Sequence, residues 1–222
     1  VSSSVTSFSS TQPITIAVPK GRISKVLIPL LALAGVDATC LDQDDRTLVR
    51  TTPDGKIRFL LLKPDDVPTY VESGAADLGI SGRDTLLERA YDLYLLVDLG
   101  IGKCRMAVAA PAGAVIPELP RVATKYPRIA RQHYAAKGLQ PEVIYIQGSV
   151  ELGPIVGLSD VIVDLVETGS TLRENNLVET ETICEISSVL VANRSLYKLR
   201  RRELAPVVEG IRRAVDSQKS AS

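Results

Sequence analysis

The sequence predicts an α/β fold with largely parallel sheets, and three observations carry that prediction. Short β-branched apolar runs alternate with helical patterns along most of the chain. Turn signals, chiefly Gly and Pro, separate the two kinds of segment. Hydrophobic residues make up 45% of the 222 residues, enough for a substantial core, while aromatics are only 4%, so that core must be built of Leu, Val, Ile and Ala.

The elements follow in order. Ile14-Thr15-Ile16-Ala17-Val18 reads as a strand stopped by Pro19-Lys20-Gly21-Arg22, and a helical pattern runs from Ser24 to Ala34 with Gly35 as its stop. Asp54-Gly55 reads as a hairpin turn before a strand over Ile57–Leu62. A short helix is expected over Val67–Gly74, a buried strand over Asp77–Gly82, a helix over Asp84–Ala90 and a strand over Leu93–Val97. Beyond Gly100-Ile101-Gly102 come strands over Arg105–Ala110 and Arg121–Thr124, a helix over Tyr126–Lys137, a strand over Glu142–Ile146 and a short helix over Val150–Leu158. A strand over Val161–Leu165, a helix start over Ser170–Asn175, a strand over Ile183–Ala192 and an amphipathic helix over Leu196–Val215 complete the pattern. The glycines near 100–102 suggest a hinge, with the return crossing near Thr182–Ser188. The expected division is lobe I over 12–101 and 186–222, lobe II over 102–185, and a disordered Ser/Thr-rich tail over 1–11.

Composition narrows the class of function. Lys plus Arg equals Asp plus Glu at 26 each, so no global basic field for nucleic acid exists. No apolar run reaches membrane-spanning length, and residues 1–11 lack the basic start and apolar stretch of an export signal. Cys40, Cys104 and Cys184 are far apart and contain no CxxC pair, which suits reduced thiols in a cytoplasmic protein.

The strongest local feature is Val161 to Leu172. An apolar strand delivers Asp164 to its C-terminal edge, and Glu167, Thr168, Gly169, Ser170 and Thr171 lead into a helix. Amides and hydroxyls there suit a phosphate, and the carboxylate suits ribose hydroxyls. A strand–turn–helix joint with Thr168 or Ser170 as N-cap accounts for the same residues. Lys20-Gly21-Arg22 at the end of the first strand places two cations where α/β folds bind ligands, or forms a surface turn. Asp44-Asp45-Arg46 reads as a solvated charged loop. Gly148-Ser149-Val150-Glu151 reads as a capped turn, with a binding role for Glu151 as the alternative. Lys103 and Arg105 flank Cys104 and would lower its pKa, although a buried inert thiol is the plainer reading. His133 is expected to be exposed.

Taken in order, these motifs resemble those of the short form of ATP phosphoribosyltransferase. The resemblance runs from about Ile14 to about Tyr197. It is carried by Ala17-Val18-Pro19-Lys20-Gly21-Arg22, by Asp66 to Ile80, by Asp98-Leu99-Gly100, Cys104-Arg105 and Arg121 to Tyr126. Gly148 to Leu152 and Val156 to Asp160, leading into the Asp164 loop, complete it. It implies a two-lobed fold like the type II periplasmic binding proteins, with the active site in the inter-lobe cleft. It implies transfer of the phosphoribosyl group of 5-phosphoribosyl-1-pyrophosphate to N1 of ATP with Mg²⁺ carried by the substrates, in the first step of histidine biosynthesis. Arg22 and Arg46 would be the catalytic cations, with Lys20 and Gly21 beside them. The loop Glu167–Thr171 would hold the 5-phosphate and Asp164 the ribose, while Asp84, Cys104 and Glu151 match cleft positions. A homodimer within a hetero-oligomer that includes a histidyl-tRNA-synthetase-like regulatory subunit is also implied. Asn176 departs from the family's usual Gly, Val189 from a basic residue and Lys63 from Arg. A non-catalytic two-lobed small-anion-binding protein and a purine-salvage phosphoribosyltransferase are the alternatives. The first is disfavoured by the lack of an export signal, the second by the separation of Asp164 from Glu167.

Overall fold

The computed structural model describes residues 12–43 and 45–220, so the expected tail at 1–11 lies outside the described residues. The chain divides into two compact units. Unit 1 runs up to Gly79 and resumes at Ala192; unit 2 is Ile80–Val191.

Unit 1 begins with β1 (Ile14–Pro19) and α1 (Arg22–Leu33). A 3-10 turn over Thr39–Asp42 leads to β2 (Val49–Thr51) and β3 (Ile57–Leu62). A second 3-10 turn over Pro64–Asp66 precedes α2 (Val67–Glu72), and β4 (Leu78–Gly82) crosses into unit 2. β1 pairs in parallel with β3 and β4, and β2 pairs antiparallel with β3. A central strand covered on both faces must be apolar throughout, and Ile16, Ala17 and Val18 are wholly buried. Leu27, Leu30 and Leu31 form the helical stripe that covers them, each contributing about 1.5–3 kcal/mol on burial. Gly35, at φ 81, turns the chain after α1.

Unit 2 continues with α3 (Arg83–Arg89), β5 (Leu93–Asp98), β6 (Cys104–Pro111), β7 (Val122–Thr124) and α4 (Pro127–Ala135). β8 (Val143–Tyr145), α5 (Leu152–Ile155), β9 (Val161–Val166), α6 (Ser170–Glu174) and β10 (Leu177–Ile186) follow. β11 (Ser188–Asn193) returns the chain to unit 1, where α7 (Arg194–Leu199) and α8 (Arg201–Ser220) close it. The two sheets have strand orders β2-β3-β1-β4-β11-β5 and β10-β6-β9-β7-β8.

The sheets are mixed rather than largely parallel. β7 runs parallel to β8 and β9, but β6 is antiparallel to both β9 and β10. α3 follows a strand of the first sheet and packs with α4, and both helices belong to unit 2. The Glu88 carboxylate accepts the Arg128 amide at 2.9 Å and the Ile129 amide at 3.1 Å, satisfying the exposed N-terminus of α4 from a neighbouring helix.

Three expected elements take a different form. The strand expected over Ile183–Ala192 is two strands, divided at Ser187. The Ser187 carbonyl accepts the Arg83 amide at 3.0 Å, and its hydroxyl donates to Asp98 at 2.8 Å. The helix expected over Val150–Leu158 is only Leu152–Ile155, followed by Gly157 at φ 73. The closing helix breaks at Arg200, whose guanidinium reaches Asp77 while Asn193 caps α7 through the Ser195 and Leu196 amides.

Candidate active site

The Asp164 loop lies wholly in unit 2. β9 ends at Val166, Gly169 adopts φ 73, and α6 starts at Ser170. A Cβ at position 169 would meet an Arg173 nitrogen at 3.2 Å as well as occupy left-handed backbone. Neither Thr168 nor Ser170 is the N-cap. That position belongs to Gly169, which has no side chain to supply a cap, and the Thr168 hydroxyl lies 3.4 Å from the Ser170 amide. Two arginines hold the loop's carbonyls. Arg105 donates to the Glu167 carbonyl at 3.3 Å, and Arg173 donates to the Thr168 carbonyl at 3.1 Å. In a planar trans peptide the N–H points opposite the C=O, so the Thr168 amide is directed away from Arg105 and the Gly169 amide away from Arg173. Arg105 is itself fixed by Glu179, which accepts at 2.6–2.9 Å from β10.

Asp164 is half-buried, and its carboxyl accepts the Leu165 amide at 2.8 Å. Burial pushes its pKa up to about 6; the Leu165 bond and Lys125 oppose the shift, and the charges of Glu151 and Asp84 add to it. Lys125 stands one residue beyond Thr124, which pairs with Val163, so the parallel register sets it beside Asp164. The buried Thr124 hydroxyl holds this corner: it donates to the Val163 carbonyl at 2.6 Å and accepts the Tyr126 amide at 2.8 Å. The Tyr126 hydroxyl then donates to Asp84 at 3.0 Å. A Cβ on Gly82 would stand 2.1 Å from an Asp84 oxygen, so Gly82 is what lets that carboxylate turn back over its own strand end. Three carboxylates, one lysine and one tyrosine thus share a corner of unit 2. Hydroxyls of a sugar would find acceptors there, and the loop amides beyond would find a phosphate.

The remaining predicted residues fall as follows. Glu151 is half-buried at the start of α5. The Ser149 side chain makes no cap for that helix, and Ser149 instead adopts φ 49, a strained backbone at the turn that presents Glu151. Cys104 is not an activated thiol: burial, and then the charges of Asp84, Glu167 and Glu185, raise its pKa to about 11, with Arg105 only partly offsetting them. His133 is half-buried rather than exposed. Its ring lies against Tyr134, and Nε2 is 3.2 Å from a Glu181 oxygen. In unit 1, Lys20 and Gly21 are exposed after β1, Gly21 at φ 100; Arg22 opens α1, and its side chain lies outside the described groups. Arg46 is exposed on the loop before β2; Asp44 lies outside the described residues. Asn176 occupies the left-handed region at φ 54, as its replacement of a glycine requires, and Val189 is buried in β11.

Sequence reasoning quoted Lys125 and Tyr126 without giving either a role, and it passed over Arg105 and Arg173 as parts of the loop. The pairing of β7 with β9 is the signal that would have found the first two. It was hidden because the strands are separated by a helix, a strand and a second helix.

A model of the family described as HisG, ATP phosphoribosyltransferase, matches residues 63–213. An ATP phosphoribosyltransferase of Sorangium cellulosum is 63% identical over 204 residues, which cover 92% of this chain and 97% of that protein. The chain belongs to the ATP phosphoribosyltransferase family. The family's members are transferases, and this chain is one of them. ATP phosphoribosyltransferase 2 of Geobacter sulfurreducens is 46% identical over 92% of this chain and all of its own length. Among solved structures, the ATP phosphoribosyl transferase (HisG:HisZ) complex from Thermotoga maritima matches with a TM-score of 0.79 and 36% identity, covering 92% of this chain and 98% of that one. The VFT2 domain of Bordetella pertussis BvgS matches with a TM-score of 0.56 at 13% identity, a likeness of fold alone. The fold is therefore the periplasmic-binding-protein-like α/β fold that the sequence resemblance implied.

Proposed function

We propose that the chain transfers the phosphoribosyl group of 5-phosphoribosyl-1-pyrophosphate to N1 of ATP, releasing pyrophosphate, as the first step of histidine biosynthesis. Family membership supports the reaction, and one observation carries the assignment of the donor site. The loop carbonyls of Glu167 and Thr168 are tied to Arg105 and Arg173, which directs the following amides the other way.

The chemistry assigns the roles. The bond from C1 of the ribose to pyrophosphate breaks as N1 of adenine forms its own bond to C1. Positive charge develops on the ribose ring and negative charge on the departing oxygen. The protein's work is orientation and preorganised charge. Residues Glu167 to Thr171 hold the 5-phosphate, with Gly169 allowing close backbone approach. Asp164 accepts the ribose hydroxyls, which strengthens as the ring becomes electron-poor. Arg22 and Arg46 meet the pyrophosphate, with Lys20 and Gly21 beside them. Asp84, Cys104 and Glu151 contribute to the nucleotide side. Mg²⁺ would be carried in by the substrates and would offset the charge of their phosphates. A regulatory subunit resembling histidyl-tRNA synthetase is the proposed partner. The Thermotoga structure being a HisG:HisZ complex supports it. Cytoplasmic location goes with this biosynthetic role; among the described residues no helix is long and apolar enough to cross a membrane.

The test is an assay with both substrates and Mg²⁺, with and without the partner subunit. Product formation from ATP, and none from free adenine, is the expected result. Turnover of free adenine would move the enzyme to purine salvage, and no turnover with either would leave a binding protein. Gly169→Val is expected to abolish donor binding in calorimetry while the melting curve stays cooperative. Undiminished donor affinity would remove the phosphate from this loop.

A further inference from the structure

We infer that Arg50 is a positioning residue for the reaction, acting through Arg46 by fixing the loop that carries it. The inference rests on the proposed role of Arg46 at the pyrophosphate.

Arg50 lies on β2 and is only 6% exposed. Its guanidinium does not face the core for packing alone. One terminal nitrogen donates to the Cys40 carbonyl and, at 3.4 Å, to the Gln43 side-chain oxygen. The other donates to the Gln43 carbonyl at 2.7 Å and to Asp45 Oδ1 at 2.8 Å. Nε is buried without a partner among the described residues, so the two terminal nitrogens make all four bonds. Asp45 Oδ1 also accepts the Thr47 amide at 2.6 Å. Arg46 therefore sits between two residues that share one carboxylate oxygen, and that oxygen is held by Arg50.

Among the described residues the bonding to β3 ends at Leu48, whose carbonyl accepts the Leu61 amide at 2.8 Å, so the ladder does not reach residues 40–47. The shape of that stretch depends on side-chain bonds. A planar fork with several donors can bridge three residues of a loop at once, whereas a lysine ammonium is a compact charge without that fork. Burying a cation is costly unless its donors are satisfied. Here the acceptors come from Cys40, Gln43 and Asp45, so satisfying the two terminal nitrogens holds those three residues together. Arg46 is exposed and long, and its backbone must be fixed for its charge to meet a leaving group on time; misplacement by about 1 Å costs on the order of 100-fold in rate.

The experiment is a double-mutant cycle on the full chain, assayed with its partner subunit and both substrates. Arg50→Lys is expected to lower kcat about 10- to 100-fold with little change in KM for ATP. In an Arg46→Ala background the same change is expected to cost less than about twofold, because the residue it acts through is gone. An equal penalty in both backgrounds, or an unchanged kcat in Arg50→Lys alone, overturns the inference. Should Arg46→Ala by itself leave kcat intact, the assignment of Arg46 fails and this inference fails with it; a loss in Arg46→Ala with additive Arg50 effects defeats only the inference. If Arg50→Lys does not fold, Asp45→Ala loosens the same clamp from a side chain that is 48% exposed, and the same non-additivity is expected.

Discussion

Two aspartates, one in each unit, receive opposite treatment. Asp77 is 4% exposed just before β4 and is fully compensated: Arg200 donates to both its oxygens at 3.0 and 2.8 Å, and the Thr15 amide donates at 2.8 Å. Asp164, within β9, has one backbone amide and a nearby lysine against burial and two further carboxylates, and its pKa rises to about 6. The first arrangement ties the chain's last helices to its first strand. The second leaves an acceptor short of partners inside a folded corner, which is the state a ribose would relieve. A carboxylate that stabilises the fold has its partners built in; one that serves a ligand is left wanting them.

Breaking the compensated side should have the larger effect on stability. Asp77→Ala removes the bonds to Arg200 and to the Thr15 amide, while Arg200 keeps Glu203 and the Gln12 carbonyl, and a loss of about 3 kcal/mol is expected in urea unfolding. A loss below about 1 kcal/mol would mean that the pair is not what joins α8 to β1.

Relieving the uncompensated side should have the opposite sign. The folded carboxyl of Asp164 titrates near 6, above the ordinary value of 3.8, so its ionised form is disfavoured in the folded state. Stability from this group is greatest below about pH 4, declines as pH rises through 6, and by pH 8 the penalty is roughly 2–3 kcal/mol. Asp164→Asn keeps the acceptor for the Leu165 amide and loses the charge. It should melt higher than the parent at pH 8 and equal to it at pH 4, while turnover falls about 10- to 100-fold if the proposed charge-assisted bond to the ribose is lost. A stability gain that persists at pH 4 would contradict the charge argument.

The smallest effect sharpens the comparison from within unit 2. Tyr126→Phe keeps the ring 5.7 Å from the Lys125 ammonium and deletes the bond to Asp84. A loss of about 1–2 kcal/mol is expected. If Asp84 instead found its missing partner in a bound substrate, the variant would bind ATP more tightly in titration than the parent does.

Much of the fold was legible in the sequence because its signals are local. Ile57–Leu62 is a strand over the expected residues, and the Asp54-Gly55 turn before it has Gly55 at φ 72. The sheet directions were not legible, since β6, β9 and β10 read as strands whichever way they pair. β10 was half missed because Glu179, Glu181 and Glu185 interrupt its apolar pattern on a sheet edge. In the site, Asp164 and Gly169 stood out because a strand–loop–helix joint is a local pattern. The Tyr126–Asp84 bond joins residues 42 apart in sequence, and nothing in either segment announces it. The inert thiol preferred for Cys104 stands, but the activation that Lys103 and Arg105 would give could not be dismissed from sequence, because adjacency does not reveal burial or Glu179, which occupies Arg105.

Glu88 holding the first amides of α4, and Tyr126 reaching back to Asp84, make α3 and α4 a single cassette. A chimera that imports α4 from a relative without its matching α3 would carry a misfitted joint beside the Asp164 corner. Recombination breakpoints in this family should therefore be chosen outside the stretch from Gly82 to Ala135, so that both helices travel together.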